Sequence, residues 1–102
     1  MMRMSQSWAL VILIALCIPR SHAADTQNGA KLYEKFCVTC HGPNGKGNFA
    51  GTPDFSRSNI LLRPDGALFT SIKAGRGAMP GFLGILRDRD LFDVIAHLRT
   101  LN

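Results

Sequence analysis

Cysteine is scarce in this chain, with three in 102 residues. Cys17 lies at the end of an apolar run, and Leu16 before it and Ile18-Pro19 after it lack the small preceding residue that a lipidation site needs. The other two, Cys37 and Cys40, make a single CxxC with no second pair, and His97 and scattered carboxylates are the only further donors from which four zinc ligands could be drawn. A thioredoxin-like dithiol sits in a strand-to-helix turn, and no parallel-strand pattern surrounds this pair. Long apolar runs are missing too. The longest, Trp8 to Ile18, falls well short of the roughly 20 residues that cross a bilayer. Repeats, low-complexity tracts and internal linkers are absent, which leaves room for one domain.

The apolar run has the layout of a secretory signal peptide: Arg3 ahead of it, then Pro19, Arg20 and the small-residue sequence Ser21-His22-Ala23-Ala24. Cleavage after Ala23 puts Ser21 and Ala23 at the small-residue positions, whereas cleavage after Ala24 would place His22 at one of them. The expected division is therefore 1–23 as signal peptide and 24–102 as the functional domain, exported to the periplasm with no stable membrane span. A retained anchor is the alternative, and the shortness of the run speaks against it. Cys17 leaves with the signal. Twelve basic residues against seven acidic give a net charge of +5, and loss of Arg3 and Arg20 lowers this to +3. That excess is too small to imply nucleic-acid binding. It suits solubility, or weak steering toward an acidic docking patch.

What is present is Cys37-Val38-Thr39-Cys40-His41. Two thiols three apart can each add to one vinyl group of a porphyrin, and the adjacent His41 is then held beneath the iron as its proximal ligand. A zinc half-site, a redox dithiol or a structural disulfide would leave the histidine without a role. A domain of this size buries little of its surface and needs a staple. With both cysteines used for haem c and none left for a disulfide, the haem is that staple.

The remaining chain reads as helices and loops. Asp25 to Asn28 offer N-caps for a helix over Gly29 to Phe36, which has Ala30, Tyr33 and Phe36 at helical spacing. Gly42-Pro43-Asn44-Gly45-Lys46-Gly47 is a strong turn signal, and 48–63 shows no sustained period and reads as an irregular loop. A second helix opens at Pro64-Asp65-Gly66, runs to Ala74 and stops at Gly75. The last helix has Asp88 as N-cap candidate and an apolar stripe of Leu91, Val94, Ile95, Leu98 and Leu101, with Arg89, Asp93 and Arg99 among its polar positions. The expectation is an all-α domain of three main helices.

Three options exist for the sixth coordination position of the iron: Met79, His97 or an open site. Met79 is the only methionine outside the signal segment, and it sits in the Gly/Pro-rich segment 75–82 with Pro80 restraining the backbone after it. A packing methionine belongs on an amphipathic helix rather than in such a loop. Ligation by Met and His favours the ferrous state and raises the reduction potential. His97 reads as an interfacial or partly exposed helix residue, since ligation would take its helix away from the core.

CxxCH, the glycine-rich turn, Ala78-Met79-Pro80 and the terminal helix Leu91 to Arg99, in this order, resemble a small bacterial class I (monohaem) cytochrome c over nearly all of 24–102. The resemblance implies a cytochrome c-like fold in which the first helix crosses the last. Gly29 then allows close approach, and Tyr33 or Phe36 packs against Phe92 and Leu98. It also implies a Pro53 carbonyl bonded to the second ring nitrogen of His41. Arg57, Arg63 and Arg76 are candidate propionate partners by charge alone. Family members commonly carry an aromatic where His97 stands, so a titratable ring replaces an inert one.

The function these residues support is transfer of single electrons between redox partner proteins, a reductase and an oxidase, with Lys46 and Arg76 near the docking edge. No proton-transfer pair or nucleophile is present, and an enzymatic role is not expected. Two alternatives stand beside the carrier. One is a dedicated haem subunit or accessory factor of a larger dehydrogenase or reductase. The other is a five-coordinate haem enzyme or gas sensor, for which the chain offers no distal His/Arg pair.

Overall fold

The computed structural model describes residues 23–57 and 59–102; the expected signal peptide lies outside them except for Ala23. Among the described residues the elements are α1 (Thr26–Phe36), α2 (Val38–His41), a 3-10 turn (Asn59–Leu62), α3 (Asp65–Ala74) and α4 (Asp88–Leu98), with no strand. The fold is all-α, as expected, with three long helices and the single turn α2. No described helix is long and apolar enough to cross a membrane.

The first helix begins three residues earlier than its apolar period suggests. The Asp25 carboxylate accepts the Gln27 and Asn28 N–H groups at 2.9 and 3.1 Å, taking up amides that otherwise have no partner. The last helix also starts differently. Its N-cap is Arg87, with an extended ψ of 156°, and Asp88 is already helical and accepts Lys73 Nζ at 2.9 Å. Asp90 covers the cap instead, taking the Arg87 N–H at 3.3 Å and its guanidinium at 2.9 and 3.2 Å. The segment expected as irregular contains the 3-10 turn, which buries Leu61. Arg99 fastens it by donating to the carbonyls of Leu61 and Arg63 and to the Asp65 carboxylate.

The core is one cluster of Tyr33, Phe55, Leu61, Leu68, Val94, Ile95 and Leu98, with Leu91 fully buried beside it. α1 and α4 cross at Gly29, where a Cβ would stand 1.9 Å from the Asp93 carbonyl oxygen. This contact explains why Asp93, expected on the polar face, is only 5% exposed. Its carboxylate is satisfied from α1, by the Asp25 N–H at 2.7 Å and Asn28 Nδ2 at 2.8 Å, and Asn28 also donates to Asp90 at 3.2 Å. The bonded Arg87 guanidinium holds the Asp90 carboxyl below the ordinary carboxylate range.

Aromatic pairing departs from expectation at Phe92. This ring stacks on Phe69 of α3, with centroids 4.7 Å apart and planes at 8°, because it lies one position beyond Leu91 and so faces the α3 flank. On the α1 side, Tyr33 meets His97 at 5.1 Å and Phe36 meets Phe82 edge-on at 5.9 Å.

Two outcomes follow for the haem-loaded protein. Gly29→Ala forces the helices apart and costs about 3 kcal/mol, the upper range for overpacking, read as a lowered melting temperature. Gly66→Ala, with nothing within 4 Å of its new methyl, is the neutral control. His97, whose basicity burial pushes below the ordinary 6.5, adds stability that is complete above that pH. It is lost as pH falls through the lowered folded value, because the unfolded chain takes up the proton first. His97→Phe removes this part of the acid slope in melts taken at pH values just below about 6.5, before the carboxylates titrate.

Candidate haem site

The five-residue motif forms a turn of its own. Cys37, with φ −120°, leaves α1 and caps α2, and the His41 and Gly42 N–H groups return to Cys37 O and Val38 O at 2.9 and 2.8 Å. Gly42, at φ 77°, ends the turn in a conformation that side chains avoid. The following loop takes up the carbonyls that the turn leaves over. Gly47 N–H donates to His41 O at 2.8 Å, Asn48 N–H to Cys40 O at 2.9 Å, and Asn48 Nδ2 to Thr39 O at 3.0 Å. Asn48 was not legible as a site residue; its only signal is an asparagine closing a glycine-rich turn. The Tyr33 hydroxyl adds a bond from α1 to Gly42 O at 2.5 Å. Burial, and then the neighbouring Cys37, push that phenol up to about 12.

Both thiols are free, Cys37 half-buried and Cys40 exposed. Burial, with Cys40 alongside, pushes the Cys37 thiol up to about 11, the opposite of the depressed value that marks a redox dithiol. Among the described residues no group of three or more His, Cys, Asp and Glu is arranged to hold a metal ion by itself.

His41 is 9% exposed and stacks on Phe55, with centroids 4.9 Å apart and planes at 21°. Burial lowers its basicity, which keeps the imidazole in the neutral form that binds metals. Its Nδ1 is buried without a hydrogen-bond partner, alone among the described side chains. The expected bond to the Pro53 carbonyl is therefore not made here. The segment is anchored at Phe55 instead, through the ring stack and a Phe55 N–H bond to Gly45 O at 2.7 Å. Phe55 is the residue that sequence reasoning missed beside His41, and an aromatic two places after Pro53 was its available signal.

Met79 lies on a separate loop after α3. It exchanges both backbone hydrogen bonds with Arg76 at 3.0 Å, across a two-residue turn with Gly77 at φ 59°. The Met79 side chain is half-buried. The loop ends at Phe82, and the Phe82–Phe36 contact ties it to the residue before Cys37. His97 is half-buried on the other flank of α1, against Tyr33. Lys46, Arg57, Arg63 and Arg76 are exposed, and Arg57 faces Asp54 at 3.7 Å.

Residues 24–98 match the family model described as cytochrome c oxidase, cbb3-type, subunit III. The chain belongs to the class I cytochrome c family. Cytochrome c6 of Thermosynechococcus vestitus is 32% identical over 94 residues, covering 88% of this chain and 81% of that protein. The cbb3-type cytochrome c oxidase subunit FixP of a Bradyrhizobium species is 39% identical over 87 residues, 82% of this chain but 30% of FixP. Among solved structures, the KustC0563 c-type cytochrome superposes with a TM-score of 0.67 at 24% identity, over 72% of this chain and 96% of that one. Cytochrome c6 of the diatom Phaeodactylum tricornutum gives 0.64 at 22%, over 74% and 92%. These two likenesses show the fold. The cytochrome carries covalently bound haem c. The site suits that group: two unpaired thiols on one turn, a neutral buried imidazole, and an orphaned buried ring nitrogen of a kind that is rare in native structures.

Tyr33→Phe leaves the buried Gly42 carbonyl with only the longer bond from the Gly45 N–H at 3.2 Å and costs about 1 kcal/mol of stability in a denaturant titration of the haem-loaded cytochrome.

Proposed function

We propose that this monohaem cytochrome carries single electrons between periplasmic redox partners, one a reductase and one an oxidase, after removal of residues 1–23. Cys37 and Cys40 hold the haem, and His41, stacked on Phe55, ligates its iron together with Met79. The bound haem supplies an iron centre that alternates between ferric and ferrous by gain and loss of one electron. The observation that carries this reading is the closed loop around Met79, whose backbone is held by two bonds to Arg76. A thioether on a fixed backbone stays with the metal in both oxidation states, so electron exchange needs little rearrangement. Lys46 and Arg76, both exposed, give the surface positive charge for transient docking.

The FixP likeness favours a second reading, in which the same domain serves as the dedicated haem module of an oxidase. The electron-transfer chemistry is common to both, and they differ in whether the cytochrome purifies free or with a partner enzyme.

Absorption spectra of the purified haem-loaded protein test the ligand set. The ferric form is expected to show the weak far-red sulfur-to-iron band, and the reduced form to ignore carbon monoxide. Met79→Ala removes the band and opens the iron to carbon monoxide. A wild-type protein that lacks the band and binds carbon monoxide has an open site and is a sensor or enzyme rather than a simple carrier.

A further inference from the structure

Gly75 ends α3 at φ 81° and ψ 168°, backbone angles essentially confined to glycine that would by themselves account for this residue. Its surroundings ask for more. A Cβ at Gly75 would stand 2.5 Å from Gly81 N, 2.8 Å from Met79 O and 2.9 Å from Pro80 C. The return strand of the loop therefore lies directly on the Gly75 Cα. Gly81 closes the same contact from the other side, with a Cβ there falling 2.7 Å from Ala74 C and O and from Lys73 O. The Phe82 and Leu83 N–H groups clip the strand to Lys73 O, each at 3.1 Å. The Met79 backbone is thus seated on the end of α3, and only side-chain torsions remain to place its sulfur. Gly84 differs: it has a similar φ of 78° and nothing within 4 Å of the methyl it lacks.

From this geometry we infer that Gly75 is a positioning residue for Met79, its missing side chain setting how deeply the loop seats and hence whether the thioether reaches the iron. The inference rests on Met79 being the axial ligand. A methyl at Gly75 cannot be absorbed by a flexible neighbour, because every atom it meets is backbone. The loop must lift away from α3, and the long, loosely restrained methionine side chain loses its fixed starting point.

The test compares haem-loaded wild type, Gly75→Ala, Gly81→Ala and Gly84→Ala by ferric far-red absorption, carbon monoxide binding and midpoint potential, with melting curves to confirm folding. Gly84→Ala carries the strain of a positive φ without the contact. Gly81→Ala makes the same contact from the other side at a residue without positive φ, so it remains informative if Gly75→Ala fails to fold. The expected result is loss of the far-red band, uptake of carbon monoxide and a lowered potential in Gly75→Ala and Gly81→Ala, whereas Gly84→Ala keeps the band, the inertness to carbon monoxide and the wild-type potential. A wild type with the band whose folded Gly75→Ala variant, or Gly81→Ala where Gly75→Ala does not fold, keeps band and potential overturns the inference and leaves Gly75 a helix stop. Loss of the band in Gly84→Ala as well also overturns it, since strain rather than contact is then responsible. Absence of the band from wild type instead removes the ligand reading, and this inference with it.

Discussion

Everything else in this cytochrome hangs from the contact between the Gly29 backbone and the Asp93 carbonyl. An α-helix pair normally keeps a side-chain layer between its axes; here one layer is missing on one side, and α1 lies directly on α4. The close crossing brings Tyr33 into the core with Ile95 and Leu98 and sets the direction in which α1 delivers Cys37. It also shuts the Asp93 carboxylate away from water. The Asp25 and Asn28 amide groups and the guanidinium on Asp90 are what make two nearly buried carboxylates tolerable at that point.

From that crossing the site is assembled by backbone chemistry more than by side-chain packing. α2 is a single turn with no stability of its own, so its carbonyls must find donors elsewhere. Gly47, Asn48 and the Tyr33 hydroxyl provide them. The Met79 loop is built in the same manner, from mutual bonds with Arg76 and amides clipped to the end of α3. Phe36 and Phe82 join these two backbone constructions by an edge-on ring contact. Among the described side chains the His41 imidazole alone keeps a buried atom without a partner, with Phe55 against its face.

The three long helices were legible because their apolar stripes and capping residues are local signals, and CxxCH was legible because its spacing encodes the attachment chemistry. Misreadings arose where a distant partner decides the outcome. Asp93 looks like a surface residue until α1 covers it, and Asp88 looks like a cap until Lys73 claims it and Asp90 reaches back to Arg87. Phe92 stands beside the apolar stripe, where the family resemblance pairs it with α1, yet its ring stacks on α3. The 3-10 turn at Asn59–Leu62 has no period to announce it and is held by Arg99, far along the chain. Phe55 and Asn48 carry no motif, and their roles depend on how the loop folds over α2.

The Asp25 amide fastened to Asp93 has a consequence for the geometry of tethering. It pins the start of α1 to α4, while the far end of the same 11-residue helix, about 16 Å away at 1.5 Å per residue, hands over to Cys37. Any polypeptide joined ahead of Ala24 therefore leaves the domain from the pole opposite the attachment turn. A fusion partner or surface linkage placed there keeps clear of CxxCH and holds the domain with that turn facing outward.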